Sequence, residues 1–136
     1  MHTSLKRDLF RSAAIARFLV LGSAALAASP AFGQDTWTGA TSNDWFTGTN
    51  WADGTVPTAT DNVVINISDA SAPVINANAV SGTVDVGAAG TGQLIIASGA
   101  TLTSSGGPQS RLGVNAGATG IAIVTGNGSR WNLGHA

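Results

Sequence analysis

The sequence has no cysteine, only two histidines and a charged fraction of only 10%. Without cysteine the chain forms no disulfide, offers no thiol nucleophile and has no cysteine ligand for zinc. The histidines, His2 and His135, lie at opposite ends of the chain, so no imidazole accompanies the many serines in a catalytic triad. We therefore predict that the protein is not an enzyme and binds no cofactor.

Basic residues are also scarce once the N-terminal segment is set aside. Four of the six Lys and Arg residues lie before residue 18, and only Arg111 and Arg130 follow. Two arginines against six aspartates leave a formal net charge of −4 for residues 34–136. Such a chain has no basic footprint for nucleic acid and no polybasic patch for anionic lipid. The six aspartates are Asp35, Asp44, Asp53, Asp61, Asp69 and Asp85.

Long hydrophobic runs are missing as well. The apolar stretch FLVLGSAALAA at 18–28 is shorter than the roughly 20 residues that a membrane span needs. It follows four basic residues and precedes small residues, which is the layout of a secretory signal peptide read by the Sec-type export machinery. We predict a signal-peptide helix over 1–33, cleaved after Gly33 or else after Ala27 or Ala31; an uncleaved anchor helix is the alternative. The basic residues are Lys6, Arg7, Arg11 and Arg17.

The rest of the chain has short β-branched runs and no helical periodicity. Clusters of Gly, Ser, Asn and Ala separate these runs and mark turns. Strand and turn alternate at short spacing, so the sequence predicts an all-β protein. The predicted strands are 63–67, 83–87, 93–103 and 120–126, and the turns are 87–92, 104–110 and 115–120.

An internal repeat of about 27 residues is visible. Thr91-Gly92 aligns with Thr119-Gly120 at an offset of 28, and Val86-Gly87 aligns with Leu112-Gly113 at an offset of 26. Such a unit, interpreted as one strand per turn, fits a right-handed parallel β-helix better than a propeller blade of about 40–45 residues. We predict about three to five coils over 63–136, preceded by an N-terminal cap over 34–62.

The register of the repeat decides which side chains face the core. The alignment places Leu94 and Ile96 opposite Ala122 and Val124 and turns these four inward. Hydrophobic alternation alone would instead bury Ile121 and Ile123, because a shift of one residue exchanges the two faces of a strand. We favour the alignment, since the flanking glycine turns match. It puts Ile95, Ile121 and Ile123 on the outer face.

Two segments, GTGQLIIASGATLTSSG and LGVNAGATGIAIVTGNGSRWNLG, carry this glycine pattern. The first half uses Val86-Gly87, Gly90, Thr91, Gly92, Leu94, Ile96 and Gly99, and the second uses Leu112-Gly113, Gly120, Val124, Gly126, Gly128, Ser129 and Trp131. The opening segment adds Trp37, Gly39, Ser42, Asp44, Trp45, Asn50, Trp51, Gly54, Pro57, Asp61, Val63 and Ile65. Together they resemble the N-terminal part of autotransporter (type V secretion) passenger domains.

The resemblance implies a non-catalytic stem of an exported passenger, displayed at the outer membrane or cell surface or released outside the cell. It also implies an outer-membrane β-barrel translocator, for which this sequence has no alternating strands of about ten residues. We therefore expect an N-terminal piece of a passenger, truncated at its C-terminus and periplasmic if the translocator is missing. An enzyme fragment with catalytic residues beyond 136 is a further alternative.

Three of the four tryptophans fall within DTWTGATSNDWFTGTNW at 35–51. Exposed rings of Trp37, Trp45 and Trp51 would provide stacking surfaces for a carbohydrate or cell-surface ligand, as in an adhesive module. Buried rings would instead cover the first coil, whose core has no preceding coil above it. We favour the buried arrangement and keep ligand contact by these three residues as the alternative.

The other candidate sites have simpler explanations. Asp44, Asp53 and Asp61 could pair as catalytic carboxylates, but we expect them to cap turns. The turn GAAGTGQL lacks the aspartate of calcium-binding repeats, so we predict no metal. The sequons at Asn66 and Asn127 are weak signals, and the second is better explained as an Asn-Gly turn.

Overall fold

The computed structural model describes residues 33–107 and 109–134, and the signal-peptide prediction for 1–33 therefore falls outside the described residues except at Gly33. Within these ranges the protein is all-β, as predicted, with one 3₁₀ turn at Gly48–Asn50. The strands are β1 Gly33–Thr36, β2 Asp61–Ile65, β3 Val74–Ile75, β4 Ala79–Ser81, β5 Thr83–Val86, β6 Thr91–Ile96, β7 Thr101–Ser104, β8 Arg111–Leu112, β9 Thr119–Val124 and β10 Arg130–Leu133.

The strands form three parallel sheets, and from β2 onward every third strand joins the same sheet. The first sheet has the order β1-β2-β5-β8, the second β3-β6-β9 and the third β4-β7-β10. Three consecutive strands therefore contribute one strand to each sheet. We call these sets the N-terminal triplet (β2–β4), the middle triplet (β5–β7) and the C-terminal triplet (β8–β10).

The register between triplets confirms the alignment of the repeat. Thr91 is the partner of Thr119 in the second sheet, and Val86 is the partner of Leu112 in the first. Leu94 and Ile96 are fully buried, so the strand face that they share with Ala122 and Val124 points inward. The outer-face prediction is confirmed by the register: Ile123 is the partner of Ile95, and Ile121 is the partner of Gln93. Both partners alternate with the fully buried Leu94 and Ile96 along β6.

The predicted single strand over 93–103 is wrong, because the chain bends between β6 and β7. Ser98 and Gly99 adopt φ values of 59° and 80°, and the N–H of Ala100 donates to the carbonyl of Ala97. A backbone with φ > 0 leaves the extended region, so the ladder ends there. The interpretation of the repeat unit as a single strand is also wrong, since each triplet holds three strands.

One hydrophobic cluster draws on all three sheets. Val63, Val84 and Val86 come from the first sheet, Ile75, Leu94 and Ile96 from the second, and Ala79 and Leu102 from the third. Their side chains are at most 7% exposed. The third sheet adds a buried polar pair, because the hydroxyl oxygens of Ser81 and Ser104 lie 2.9 Å apart. The core therefore runs along the stacked triplets.

Polar side chains and two glycines fix the spacing of the triplets. The Asn66 Oδ1 atom accepts hydrogen bonds from the N–H groups of Ala88 and Ala89, in the next triplet. A Cβ on Gly92 would collide with the carbonyl oxygen of Ile65, and a Cβ on Gly120 would collide with that of Val86. The Thr-Gly pair of the repeat is thus a consequence of close backbone approach.

Candidate functional site

The structure brings together the three tryptophans that the sequence singled out. Trp37, Trp45 and Trp51 are 1%, 0% and 3% exposed. Trp51 contacts both of the others edge to face, with ring centroids 4.9 Å from Trp37 and 4.6 Å from Trp45. This is a preferred aromatic geometry. We call these three residues the tryptophan cluster.

Backbone hydrogen bonds place the tryptophan cluster at the N-terminal end of the sheets. Trp37 follows β1 directly, and its N–H donates to the carbonyl of Val64 in β2 at 2.9 Å. Trp45 donates to the carbonyl of Val74 in β3 at 3.2 Å. An antiparallel bridge then joins Trp37 to Trp51. The cluster is therefore attached to the first and second sheets before the N-terminal triplet.

Two of the three indole N–H groups in the tryptophan cluster donate a hydrogen bond, and the third does not. Trp37 Nε1 donates to the carbonyl of Ser71, and Trp51 Nε1 donates to the carbonyl of Trp45, each at 2.8 Å. Trp45 Nε1 is buried and has no hydrogen-bond partner within the described residues. An unsatisfied buried donor costs about 1–3 kcal/mol. The packing of the Trp45 ring thus outweighs a lost hydrogen bond.

Asn50 organises the loop between the tryptophans, and sequence reasoning missed this role. Its side chain is fully buried and makes four hydrogen bonds. Oδ1 accepts from the N–H groups of Thr41 and Ser42, and Nδ2 donates to the Ser42 hydroxyl and the Asp44 carbonyl. The amide uses its full hydrogen-bonding capacity. The opening motif of the sequence included Asn50, but no local pattern predicted that its side chain would be buried.

The three aspartates considered as a carboxylate site each bind their own turn. Asp44 accepts from the Phe46 N–H and the Thr47 hydroxyl. Asp53 accepts from Thr55, and Asp61 accepts from Thr58, in both cases through the N–H and the hydroxyl. The expectation that these side chains cap turns is confirmed. These bonds hold the loops that surround the tryptophan cluster.

Asp35 is a buried carboxylate that sequence reasoning missed. It lies on β1, two residues before Trp37 and on the same face, and it is 2% exposed. Neither of its oxygens has a hydrogen-bond partner within residues 33–107 and 109–134. Burial raises the pKa of the Asp35 carboxyl, and the charge of Asp53 raises it further. The shared face could not be recognised from the sequence, because no strand was predicted at residues 33–36.

The arrangement is better suited to closing a core than to holding a ligand. The ring faces of the tryptophan cluster are covered, so none is open for stacking on a sugar. In the part of the chain that the structure describes, no three Asp, Glu or His side chains lie close enough to hold a metal ion. No helix among the same residues is long and apolar enough to cross a membrane.

No curated protein and no solved structure is similar enough to this chain to match it. A family model described as a domain of unknown function, DUF8693, matches residues 36–129. That span takes in the tryptophan cluster and ends one residue before β10. The chain therefore belongs to the family of this domain of unknown function, DUF8693.

Proposed function

We propose that residues 63–134 form a short right-handed parallel β-helix, closed by a cap over 34–62, and that the protein is a non-catalytic stem of an exported passenger. The observation that carries this proposal is the strand order. Each triplet adds one strand to every sheet, and all pairings between triplets are parallel. A chain that winds once per triplet connects strands in this way.

The offsets and the core support the β-helix. Partners in the middle and C-terminal triplets are 26, 28 and 29 residues apart in the first, second and third sheets. Partners in the N-terminal and middle triplets are 21, 21 and 23 residues apart in the same sheets. Inward side chains stack on inward side chains in each sheet, which produces a continuous core. Close backbone approach at Gly92 in the middle triplet recurs at Gly120 in the C-terminal triplet.

The burial of the tryptophan cluster supports a cap. A first coil has no preceding coil, so its core needs a cover. Rings with almost no exposed area supply that cover beside β2 and β3. The alternative, an adhesive module that binds carbohydrate through Trp37, Trp45 and Trp51, requires exposed ring faces, which this geometry does not offer.

The stem function rests on the turn-capping aspartates and on the sequence of residues 1–33. Asp44, Asp53 and Asp61 are engaged in local hydrogen bonds, which favours a structural role. The basic and apolar segment at the N-terminus favours export through the Sec-type machinery. We propose an outer-membrane, cell-surface or extracellular location, reached with a β-barrel translocator, and a periplasmic one without it.

Export is tested by expressing the 136-residue chain in a Gram-negative host. We expect a processed protein outside the cytoplasm, with an intact mass that corresponds to cleavage after Ala27, Ala31 or Gly33. Surface display with a translocator would show as digestion by protease added to whole cells. Unprocessed chain confined to the cytoplasm would contradict the proposal.

The stacking of the coils is tested with introduced cysteines, which the natural sequence lacks. Gln93 and Ile121 are outward-facing partners on β6 and β9. Their Cα atoms should lie about 4.8 Å apart, within the range that a disulfide spans. We expect Gln93→Cys/Ile121→Cys to oxidise readily. The control Gln93→Cys/Ala122→Cys places the thiols on opposite faces, and equal oxidation of both variants would contradict the register.

A further inference from the structure

The sequence contains nine asparagines, and only Asn127 is followed by glycine. The backbone nitrogen that follows an asparagine can attack the amide carbon of its side chain. Glycine has no Cβ to shield that nitrogen, so the attack meets less hindrance before glycine than before any other residue. The Asn127-Gly128 pair therefore combines a reactive carbon with an unshielded nucleophile.

The structure places this pair at the tip of the turn between β9 and β10. Both residues are exposed, and Gly128 adopts a φ of 85°. The N–H of Ser129 donates to the carbonyl of Gly126 at 3.2 Å and closes the turn. A glycine with positive φ at the third of four positions is typical of a type II turn. Water therefore reaches both the nitrogen and the side chain that would react.

No hydrogen bond within residues 33–107 and 109–134 holds the peptide unit between Asn127 and Gly128. Neither its carbonyl oxygen nor its N–H has a partner there, and the Asn127 side chain has none either. The two adjoining peptide units are held, because the Gly126 carbonyl accepts from Ser129 and the Gly128 carbonyl accepts from Arg130 Nε at 3.3 Å. The reacting unit can therefore rotate until its nitrogen faces the side chain.

Asn115 provides a comparison within the same molecule. It is exposed as well, and it lies in the turn between β8 and β9. Its next residue is Ala116, whose methyl group shields the nitrogen, and the Asn115 carbonyl accepts from the Ala118 N–H at 3.0 Å. The peptide unit after Asn115 is thus both shielded and held. Four other asparagines use Oδ1 as a hydrogen-bond acceptor, namely Asn50, Asn62, Asn66 and Asn78.

We propose that Asn127-Gly128 is a site of spontaneous deamidation. The Gly128 nitrogen gives its proton to hydroxide and attacks Cγ of Asn127, and the Cγ–Nδ2 bond breaks with release of ammonia. Water then opens the resulting cyclic succinimide. Cleavage of the new N–Cγ bond produces aspartate, and cleavage of the original peptide bond produces isoaspartate, whose main chain runs through Cγ. The reaction needs only water.

The products change the charge and the length of the turn. A carboxylate replaces a neutral amide near Arg130. Isoaspartate adds one carbon to the main chain between Gly126 and Ser129, which should break the bond that closes the turn. The Ser129 hydroxyl accepts from the Gly99 N–H at 2.9 Å and so joins this turn to the middle triplet. We expect faster amide exchange at Gly99 in the isoaspartate form, and unchanged exchange would overturn this consequence.

Incubation of the purified protein, expressed as the full chain, tests the proposal. Peptide mass mapping should show both isoaspartate and aspartate at position 127, formed faster at alkaline than at neutral pH because the nitrogen has to lose a proton. The rate in the folded protein should lie within about tenfold of the rate in denaturant, since opening an exposed turn costs little free energy. Asn115 should stay unmodified over the same time.

Two variants provide matched controls. Asn127→Gln should abolish the reaction, because the longer side chain would have to close a larger ring. Asn115→Gln should leave the reaction unchanged, since it alters an equally exposed turn at which we expect no attack.

Three results would overturn the proposal. Conversion of Asn127 in denaturant but not in the folded protein would show that the turn holds the reacting peptide unit. Conversion of Asn115 at the same rate as Asn127 would assign the change to general amide hydrolysis. Aspartate without any isoaspartate would exclude the cyclic intermediate.

Discussion

The two ends of the stacked triplets differ in what covers the core. At the N-terminal end, Trp45 and Asn50 are fully buried beneath their own loop. At the C-terminal end, Leu112 and Leu133 are more than half exposed although they continue the inward row. Leu112 and Leu133 are in register with buried residues of the middle triplet, so register alone does not bury a side chain.

At the N-terminal end, most of the buried area comes from a few large side chains. Each tryptophan ring removes about 150–250 Å² from water, an upper estimate of roughly 4–6 kcal/mol per ring. A core drawn from about 100 residues is modest, so this contribution is a large share of it. We therefore expect the stability of the protein to depend most strongly on its N-terminal end.

The largest effect should come from Trp45→Ala. The Trp45 ring is fully buried against Trp51, and removing it leaves a cavity at the N-terminal end. We expect the free energy of unfolding to fall by about 3–5 kcal/mol, measured by chemical denaturation of the 136-residue chain. The control Trp45→Phe keeps an aromatic ring and removes the unsatisfied Nε1 donor, so it should cost much less.

The same variant separates the cap from the binding alternative. Loss of stability in Trp45→Ala supports the cap. Unchanged folding together with lost glycan or cell-surface binding would instead support a ligand site formed by Trp37, Trp45 and Trp51.

A smaller effect should come from truncating one of two register partners. Ile96 is fully buried and Val124, its partner on β9, is 47% exposed. Ile96→Ala should cost about 2–5 kcal/mol and Val124→Ala within about 0.5 kcal/mol. Equal losses would mean that the C-terminal triplet is covered as well as the middle triplet, and would remove the contrast in burial at the C-terminal end.

Asn50→Ala should cost about 2–3 kcal/mol, because it leaves the N–H groups of Thr41 and Ser42 without their acceptor. The neighbouring Thr49→Ala is a matched control, since Thr49 is exposed and its hydroxyl contacts only that of Thr41. Thermal unfolding of both variants measures the difference. A cost no greater than that of Thr49→Ala would show that the loop does not need the buried amide.

The smallest effect should come from Asp35→Asn, and it should depend on pH. Burial raises the pKa of Asp35 in the folded protein above its ordinary value of 3.8, so folding favours the protonated carboxyl. Stability should therefore rise as the pH falls through the raised pKa toward 3.8. Asp35→Asn should be more stable than the natural protein at neutral pH and lose this part of the pH dependence. A destabilised variant at neutral pH would show that the carboxylate is favourable when ionised.

The sequence predicted the parts of the fold that repeat. Thr91-Gly92 and Val86-Gly87 recur because backbone contacts force glycine at those places, and this placed β6 against β9 in the correct register. Five strands were missed, namely β1, β3, β4, β8 and β10. β3, β4 and β8 have only two or three residues, which are too few positions to show alternation. The extended conformation of β3 and β4 is held by pairing with β6 and β7.

The polar contacts around the tryptophan cluster were predicted only where they join residues close in sequence. Asp44, Asp53 and Asp61 bind residues two or three positions away, so local sequence identified their role. Asn50 bonds to residues six to nine positions earlier, and Asp35 is buried by a loop that returns from residue 51 onward. Contacts between segments that are far apart in the sequence are not visible in a local sequence pattern.

Hydrogen exchange tests the contrast between the two ends most directly. We expect slow amide exchange in β2, β5, β6 and β7 and in the loop around Asn50, and fast exchange in β8, β9 and β10. Exchange in β8–β10 as slow as in β2 would contradict the difference in stability between the two ends.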